Sequence, residues 1–381
     1  MTGITKEAEE AHMRITGAVL EELGRQRPYA QSRPITITEL DLAPPGPSEV
    51  RVRIEAAGVC HSDLSVVEGN RPRPVPMLLG HEAAGRVEAV GADVGDLRIG
   101  QRVVMVFLPR CQECSGCDTN GRMPCERGSA TNAAGTLLSG AQRLNRDGEA
   151  VHHHLGVSAF ATHAVVDRAS VVPVDDDVPP DVAAILGCAV LTGGGALLNA
   201  VQPAAGDSVM IVGLGGVGMA ALLAALAQDA GEVIAVDNNL DKLQLARELG
   251  ADAVYTATEV AKLGIKASHV LECAGDARAF ETAYAATAPG GRTVTVGLPR
   301  AEARSEISPL TLTMESRTVL GCYLGWAVPS RDIPRFVQWW RSGRLPVEKL
   351  ISRIRLDDIN DAMDALANGD AVRQVIVLDE P

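Results

Sequence analysis

Four of the eight cysteines fall within fifteen residues, in the stretch CQECSGCDTNGRMPC. Cys111, Cys114, Cys117 and Cys125 are spaced C-x2-C-x2-C-x7-C. A disulfide knot, an iron–sulfur cluster or a zinc ion could hold four thiols that close. A bacterial ferredoxin run places its fourth cysteine after three residues and follows it with proline. Here seven residues intervene, and Pro124 comes before the last cysteine. Four thiolates on a short loop suit tetrahedral Zn²⁺, whose filled d shell imposes no competing geometry. With every corner taken by sulfur, such a site is structural.

A sparser set comprises Cys60 and Asp63 in GVCHSDL, His81 and Glu82 in GHEAAG, and Cys188 in ILGCAVLTGGGA. Two thiolates and one imidazole leave a fourth metal position open, the pattern of a catalytic zinc. The ligands stand 21 and 107 residues apart, too far for spacing alone to reveal them. Read alone, Cys60 and Cys188 fit small buried residues better than ligands. The run His152, His153, His154 looks metal-like, but no cysteine or carboxylate stands at a matching spacing. A surface or loop position is expected for it.

Gly213, Gly215 and Gly218 form G-x-G-x-x-G, written GLGGVG. The motif follows the apolar run VMIV and opens an apolar helical stretch, the context that dinucleotide binding requires. The first glycine permits the turn, the second lets backbone approach a pyrophosphate, and the third brings helix and strand together. Asp237 closes the next strand nineteen residues after Gly218. Its carboxylate would accept from ribose hydroxyls and repel a 2′-phosphate, so NAD is expected rather than NADP.

These groups need a scaffold. At 381 residues, two domains are expected. Residues 1 to about 30 read as a leader, with a helix around Ala18 to Arg25. From Ile35 to Val174, short apolar runs between Gly- and Pro-rich turns read as strands of a small β-barrel. PVDDDVPPDVAAILG is helical text. From about Gly193, strands alternate with helices, which implies a doubly wound parallel sheet and an α/β fold class. Cys273 and Cys322 are expected to pack in that sheet as small apolar residues. After about Tyr323 the pattern becomes mixed again.

Hydrophobic residues make up 46% and charged residues 22%, a globular mixture. The net charge of −13 argues against a nucleic-acid partner, and with the single cysteine cluster it speaks against a zinc-ribbon nucleic-acid binder, a rival that a salt-dependent DNA interaction would revive. No run of about 18 apolar residues is apparent, so no membrane span is expected. The polar N-terminus lacks the apolar core of a signal peptide. A cytoplasmic location follows, where thiols stay reduced and a disulfide framework is disfavoured.

GVCHSDL, GHEAAG, the four-cysteine loop, GCAVLTGGG and GLGGVG, in this order, resemble the zinc-dependent medium-chain alcohol dehydrogenases. The likeness runs from about residue 30 to 381. The intervals from Cys60 to His81, Cys125 to Cys188 and Cys188 to Gly213 match the long-loop members. The resemblance implies a GroES-like β-rich catalytic domain over 1–189 and 325–381, interrupted by a Rossmann domain over 190–324. It implies a catalytic zinc on Cys60, His81 and Cys188 with Glu82 close behind, and a structural zinc on the four-cysteine loop. Asp63 would orient His81. Thr192, Gly216 and Val217 would join the cofactor site, with Lys242 at the adenosine ribose and His61 and Arg373 at the pyrophosphate. Phe107 would line the alcohol pocket.

The implied reaction is reversible hydride transfer between an alcohol and NAD, giving an aldehyde or ketone. Ser62, alone a satisfied loop hydroxyl, would take the alcohol proton. One departure stands out: many members have a histidine where this chain has Ser65, so the proton relay would run through Ser65 and water. A thiol-dependent formaldehyde dehydrogenase is the alternative. Arg71 and Ser129, where the glutathione branch grips its conjugate, disfavour glutathione and leave mycothiol open. A catalytically silent NAD- and zinc-binding protein ranks below both. A homodimer is expected, with a homotetramer as the other option.

Overall fold

The computed structural model describes residues 12–378. The chain divides into two compact units, one of residues 1–119, 124–188 and 351–381, the other of 120–123 and 189–350.

The first unit holds a closed five-stranded barrel, in the order Met13–Leu20, Ile35–Leu42, Leu144–Arg146, Glu149–His153 and Met77–Leu78. Ile15, Val19, Leu40, Leu42, Leu78, Leu144 and Val151 fill its interior. The helix expected around Ala18 to Arg25 is absent: this segment ends the strand Met13–Leu20, which pairs antiparallel with Ile35–Leu42 along its whole length. Burial of Ile15, Val19 and Leu20 against neighbouring strands overrides the local helical preference of AVLEEL.

A second sheet of this unit is built on the long strand Glu49–Val59. Ala83–Val90 pairs on one side, and His163–Asp167 and Arg373–Val377 share the other. The C-terminal strand Arg373–Val377 therefore belongs to the first unit. The return begins at Ile351 rather than residue 325, because the helix Pro329–Arg341 buries Ile333, Phe336 and Val337 within the second unit.

The second unit holds a six-stranded parallel sheet. Its order is Ala253–Tyr255, Val233–Val236, Val209–Val212, Ala267–Glu272, Thr287–Thr295, Thr318–Gly321. That is the doubly wound dinucleotide-binding order, with the reversal beside the first strand, Val209–Val212. Cys273 and Cys322 sit directly after sheet strands, their thiols held well above the ordinary range by burial.

One expectation about apolar runs needs correcting. The helical run Pro180–Val201 has 22 residues and a mean hydropathy of 1.8, long and apolar enough to cross a membrane. Its apolar window is 94% buried, however, and a helix apolar all round is what a protein interior demands. Glycines and Thr192 had masked its length in the sequence.

Candidate active site

Cys60 directly follows the strand Glu49–Val59 and caps the helix His61–Val67. Asp63, in the first turn of that helix, reaches back with Oδ2 to accept the Cys60 N–H at 3.0 Å. Its other oxygen lies 2.9 Å from His81 Nδ1. One fully buried carboxylate thus ties the Cys60 segment to the His81 segment. Cys188 joins them from the helical run that begins at Pro180.

With Nδ1 taken by Asp63, His81 has only Nε2 to offer, and that atom is buried without a hydrogen-bond partner. The donor atoms of Cys60, His81 and Cys188 lie within 4.8 Å of one another, all buried. The electrostatics conflict. The hydrogen bond from Cys188 draws the Cys60 thiol well below its usual pKa, while the same contact and burial push Cys188 well above it. Burial resists charge on His81, yet Asp63 and the Cys60 sulfur raise its pKa well above the ordinary value. A dication held by two thiolates and a neutral imidazole removes the conflict, so the residues fit zinc.

Asp63 is held well below the carboxylate range: burial opposes its charge, but His81 and His154 outweigh that. Burial pushes Glu82 up to about 7 against the pull of Arg373, whose guanidinium lies 3.1 Å from Oε1. Arg373, expected at a pyrophosphate, is 3% exposed and also donates to the Val59 carbonyl. Its visible place is that of a counter-charge behind the Cys60–His81–Cys188 cluster. Ser62 and Ser65 are half-buried on the helix His61–Val67, and His61 is exposed at its start. The Phe107 ring meets His81 edge-on at 5.5 Å.

In the second unit, GLGGVG joins the strand Val209–Val212 to the helix Gly216–Ala227. Gly213 has φ +93, and a Cβ on Gly218 would lie 1.9 Å from the Gly213 carbonyl oxygen, so internal packing demands both glycines. Gly215 differs, because a Cβ there would meet nothing within 4 Å. The fold itself does not need that glycine. Open space above it, at a helix N-terminus, fits a pyrophosphate. Asp237 follows the strand Val233–Val236 and accepts the Leu214 N–H at 2.7 Å and the Asn239 N–H at 2.9 Å. Lys242 lies half-buried in the helix Leu240–Glu248, and Thr192 is buried in the helix Leu191–Gly195.

Comparison with known proteins agrees. Residues 46–176 match the alcohol dehydrogenase GroES-like domain, and residues 216–342 match the zinc-binding dehydrogenase family. A geraniol dehydrogenase of Castellaniella defragrans is 37% identical over 354 residues, covering 90% of this chain and 94% of its own. The chain belongs to the zinc-dependent medium-chain alcohol dehydrogenases. A class-3 alcohol dehydrogenase of Drosophila melanogaster is 32% identical over 91% of this chain and 95% of its own. The structure of benzyl alcohol dehydrogenase from Acinetobacter calcoaceticus matches with a TM-score of 0.88 at 29% identity, covering 96% of this chain and 100% of that one. Alcohol dehydrogenase activity is therefore the function of the chain, and the thiol-dependent formaldehyde alternative is not favoured.

In this alcohol dehydrogenase the four loop cysteines also converge. Their sulfurs lie within 4.8 Å of one another, with separations of 3.6 Å (Cys114–Cys117) and 4.0 Å (Cys111–Cys117 and Cys114–Cys125). No disulfide joins any of the eight cysteines. Tetrahedral zinc with Zn–S bonds near 2.3 Å places sulfurs about 3.8 Å apart, so the spacing fits that ion. Backbone N–H groups of Cys111 and Gly128 point at the Cys125 sulfur, and that of Glu126 at Cys114. The Glu126 N–H draws Cys114 down to about 6, whereas burial pushes Cys117 up to about 12. Only a cation lets all four be thiolates together.

The histidine run was expected at the surface or in a loop: His152 and His153 instead end the strand Glu149–His153, and His154 stands in the bend after it but is buried, a role at the site that the sequence did not show. His153 and His154 are each 1% exposed. His154 Nδ1 lies 3.1 Å from Asp63 Oδ1, and its ring packs on His81 with centroids 5.5 Å apart. Burial lowers its pKa, against the pull of Asp63. The available signal was its position directly after VHH, the end of the strand Glu149–His153.

Proposed function

We propose that this alcohol dehydrogenase oxidises a hydrophobic primary alcohol with NAD, using one zinc on Cys60, His81 and Cys188 and a second on Cys111, Cys114, Cys117 and Cys125. The convergence of two buried thiols on an unpartnered imidazole nitrogen carries this reading. When bound, zinc supplies Lewis acidity toward an alcohol or carbonyl oxygen, and the nicotinamide accepts or returns the hydride. Cys60 and Cys188 balance the metal charge, and Asp63 keeps His81 in the tautomer that leaves Nε2 free to bind. Glu82, paired with Arg373, stands behind this cluster. Phe107 offers an apolar wall, consistent with relatives named for geraniol and benzyl alcohol. Following NADH absorbance across aliphatic, allylic and benzylic alcohols, with and without added thiols, tests the substrate class. Rates higher for geraniol or benzyl alcohol than for ethanol, and independent of thiol, are expected.

Ser62 takes the alcohol proton, and Ser65 with water carries it outward where relatives use histidine. General-base assistance contributes about 10²–10⁴-fold. Ser62→Ala is therefore expected to lower kcat about 10²-fold at unchanged zinc content and NAD affinity. Near-parental turnover in steady-state assays would remove the role.

Gly213, Gly215, Gly216, Val217, Gly218, Thr192, Asp237 and Lys242 form the NAD site of the second unit in this reading. Asp237 sets the preference for NAD over NADP by accepting from ribose hydroxyls. Hydrogen bonds to a charged group contribute about 1.5–3 kcal/mol. Asp237→Ser should therefore raise the KM for NAD about 10–100-fold and improve use of NADP, both measured with one alcohol at saturation. Equal KM values in parent and variant would contradict this.

The enzyme is proposed to be a homodimer through the second unit. Thr318–Gly321 is an edge strand of the parallel sheet, and the helix Pro309–Met314 before it buries none of its residues. Leu310 is 68% and Met314 76% exposed. An isologous pairing of two such edges would extend the sheet and cover both side chains. Leu310→Lys with Met314→Glu is expected to halve the mass by light scattering. A monomeric parent, or a double variant that stays dimeric, would contradict it.

A further inference from the structure

The Asp63 carboxylate carries more than the tie between Cys60 and His81. Its Oδ1 lies between two imidazoles, 2.9 Å from His81 Nδ1 and 3.1 Å from His154 Nδ1. All three side chains are buried. The fold brings His154 there through a short parallel pairing: Met77 and Leu78 stand opposite His152 and His153. The turn that follows is pinned to the same segment. Ser158 Oγ accepts the His154 N–H at 2.8 Å and donates to the Leu78 carbonyl at 2.9 Å. Ala159 and Phe160 donate to the carbonyls of Gly80 and Leu79. The backbone that carries His81 is thus laced to the backbone that carries His154.

We propose that His154 is a positioning residue for the metal centre: it donates from Nδ1 to Asp63 Oδ1, and this second bond fixes the direction in which His81 presents Nε2. The proposal rests on the reading that Cys60, His81 and Cys188 hold zinc. Asp63 Oδ2 already receives the Cys60 N–H, so the carboxylate is held at one end. With Oδ2 on the Cys60 N–H and Oδ1 on His81, a second donor on Oδ1 adds a third point of attachment and stiffens the carboxylate's hold on His81. The His154 Nδ1–Asp63 Oδ1 separation of 3.1 Å is within hydrogen-bonding distance. Neither ring nitrogen of His154 has any other hydrogen-bond partner, and Nδ1 is the one that faces the Asp63 carboxylate, so a neutral imidazole places its proton there. His154 touches neither substrate nor cofactor in this role and acts through Asp63 and His81.

Two measurements on the full-length enzyme test it. The first compares His154→Phe, which fills the space without a donor, with His154→Asn, whose amide can replace Nδ1–H. Outer partners of metal ligands typically affect affinity about 10–100-fold. The rate of zinc loss from the Cys60 site to a chromogenic chelator should rise by that factor in the Phe variant. The thiolate-to-cobalt absorption of Co²⁺-substituted protein should shift with it, and the Asn variant should recover both to within about threefold. Parental release rates and spectra in the Phe variant, or an Asn variant as impaired as Phe, would overturn the role. The second uses the unmodified enzyme and needs no variant to fold. Long-range ¹H–¹⁵N correlation should place the His154 proton on Nδ1, and a proton on Nε2 would overturn the proposal. Parental protein that binds no metal at Cys60 would overturn the zinc reading and this inference together, whereas zinc-loaded parent with an indifferent Phe variant overturns this inference alone.

Discussion

Cys188→Ala is expected to reduce alcohol oxidation by about 10³–10⁵-fold while leaving NAD affinity within about threefold. The range follows from the several kcal/mol that a bound metal contributes by Lewis acidity, at 1.36 kcal/mol per tenfold. Cys188 is buried beside Cys60, and its sulfur is one of three donors within 4.8 Å. Removing it leaves one thiol and one imidazole, too few to hold zinc against water. Alanine suits the test better than serine, whose hydroxyl could still reach the metal. The GLGGVG turn lies in the other unit, so the NAD-binding residues there are untouched. NADH formation with a saturating alcohol reports the first quantity, and quenching of protein fluorescence by NADH reports the second. A variant that retains more than about a tenth of parental turnover would contradict a catalytic zinc held by Cys188.

Cys125→Ala is expected to act on folding rather than on the chemistry. Cys125 caps the helix Glu126–Ala134, receives the N–H groups of Cys111 and Gly128, and is fully buried. Its loss would open the fourth corner of the tetrahedron and orphan both donors. Structural zinc contributes about 10–16 kcal/mol in small domains that fold around it. Here the loop is also held by hydrogen bonds such as those from Arg110 to the Gly116 and Cys117 carbonyls, so only part of that, on the order of 3–5 kcal/mol, is at stake. At roughly 2–4 °C per kcal/mol for domains of this size, the Tm should fall by about 10 °C or more. Zinc should fall by one equivalent per chain, with the remaining zinc still at the Cys60 site. Differential scanning calorimetry with metal analysis on the same sample checks both. An unchanged Tm would show that the loop does not depend on its metal.

The parts of the site legible in sequence are those whose neighbours in space are neighbours along the chain. The four loop cysteines lie within fifteen residues, and GLGGVG carries its strand and helix with it. Both could be read from spacing and packing rules alone. Cys60, His81 and Cys188 could not, because the bulge-broken pairing of Glu49–Val59 with Ala83–Val90 and a distant helix bring them together. Resemblance supplied that set. His154 escaped both routes. Its nearness to Asp63 is made by two residues of parallel pairing, too short a contact to leave any period in the sequence. The strand Met13–Leu20 and the buried run Pro180–Val201 were misread for a related reason: local composition names a preference, and tertiary burial decides the outcome. The late start of the C-terminal segment, at Ile351, followed from a helix whose apolar face could not announce which unit would bury it.

The central claim is that two cations are held in unlike ways, one enclosed by four sulfurs and one by two sulfurs and an imidazole. Metal analysis of active enzyme, alongside Cys188→Ala and Cys125→Ala prepared identically, tests it most directly. The account predicts two zinc ions per chain in the parent and one in each variant, with turnover lost only where the Cys60 site is emptied. Full activity in a parent that contains no transition metal, or equal loss of turnover in both variants at matched folded protein, would contradict it.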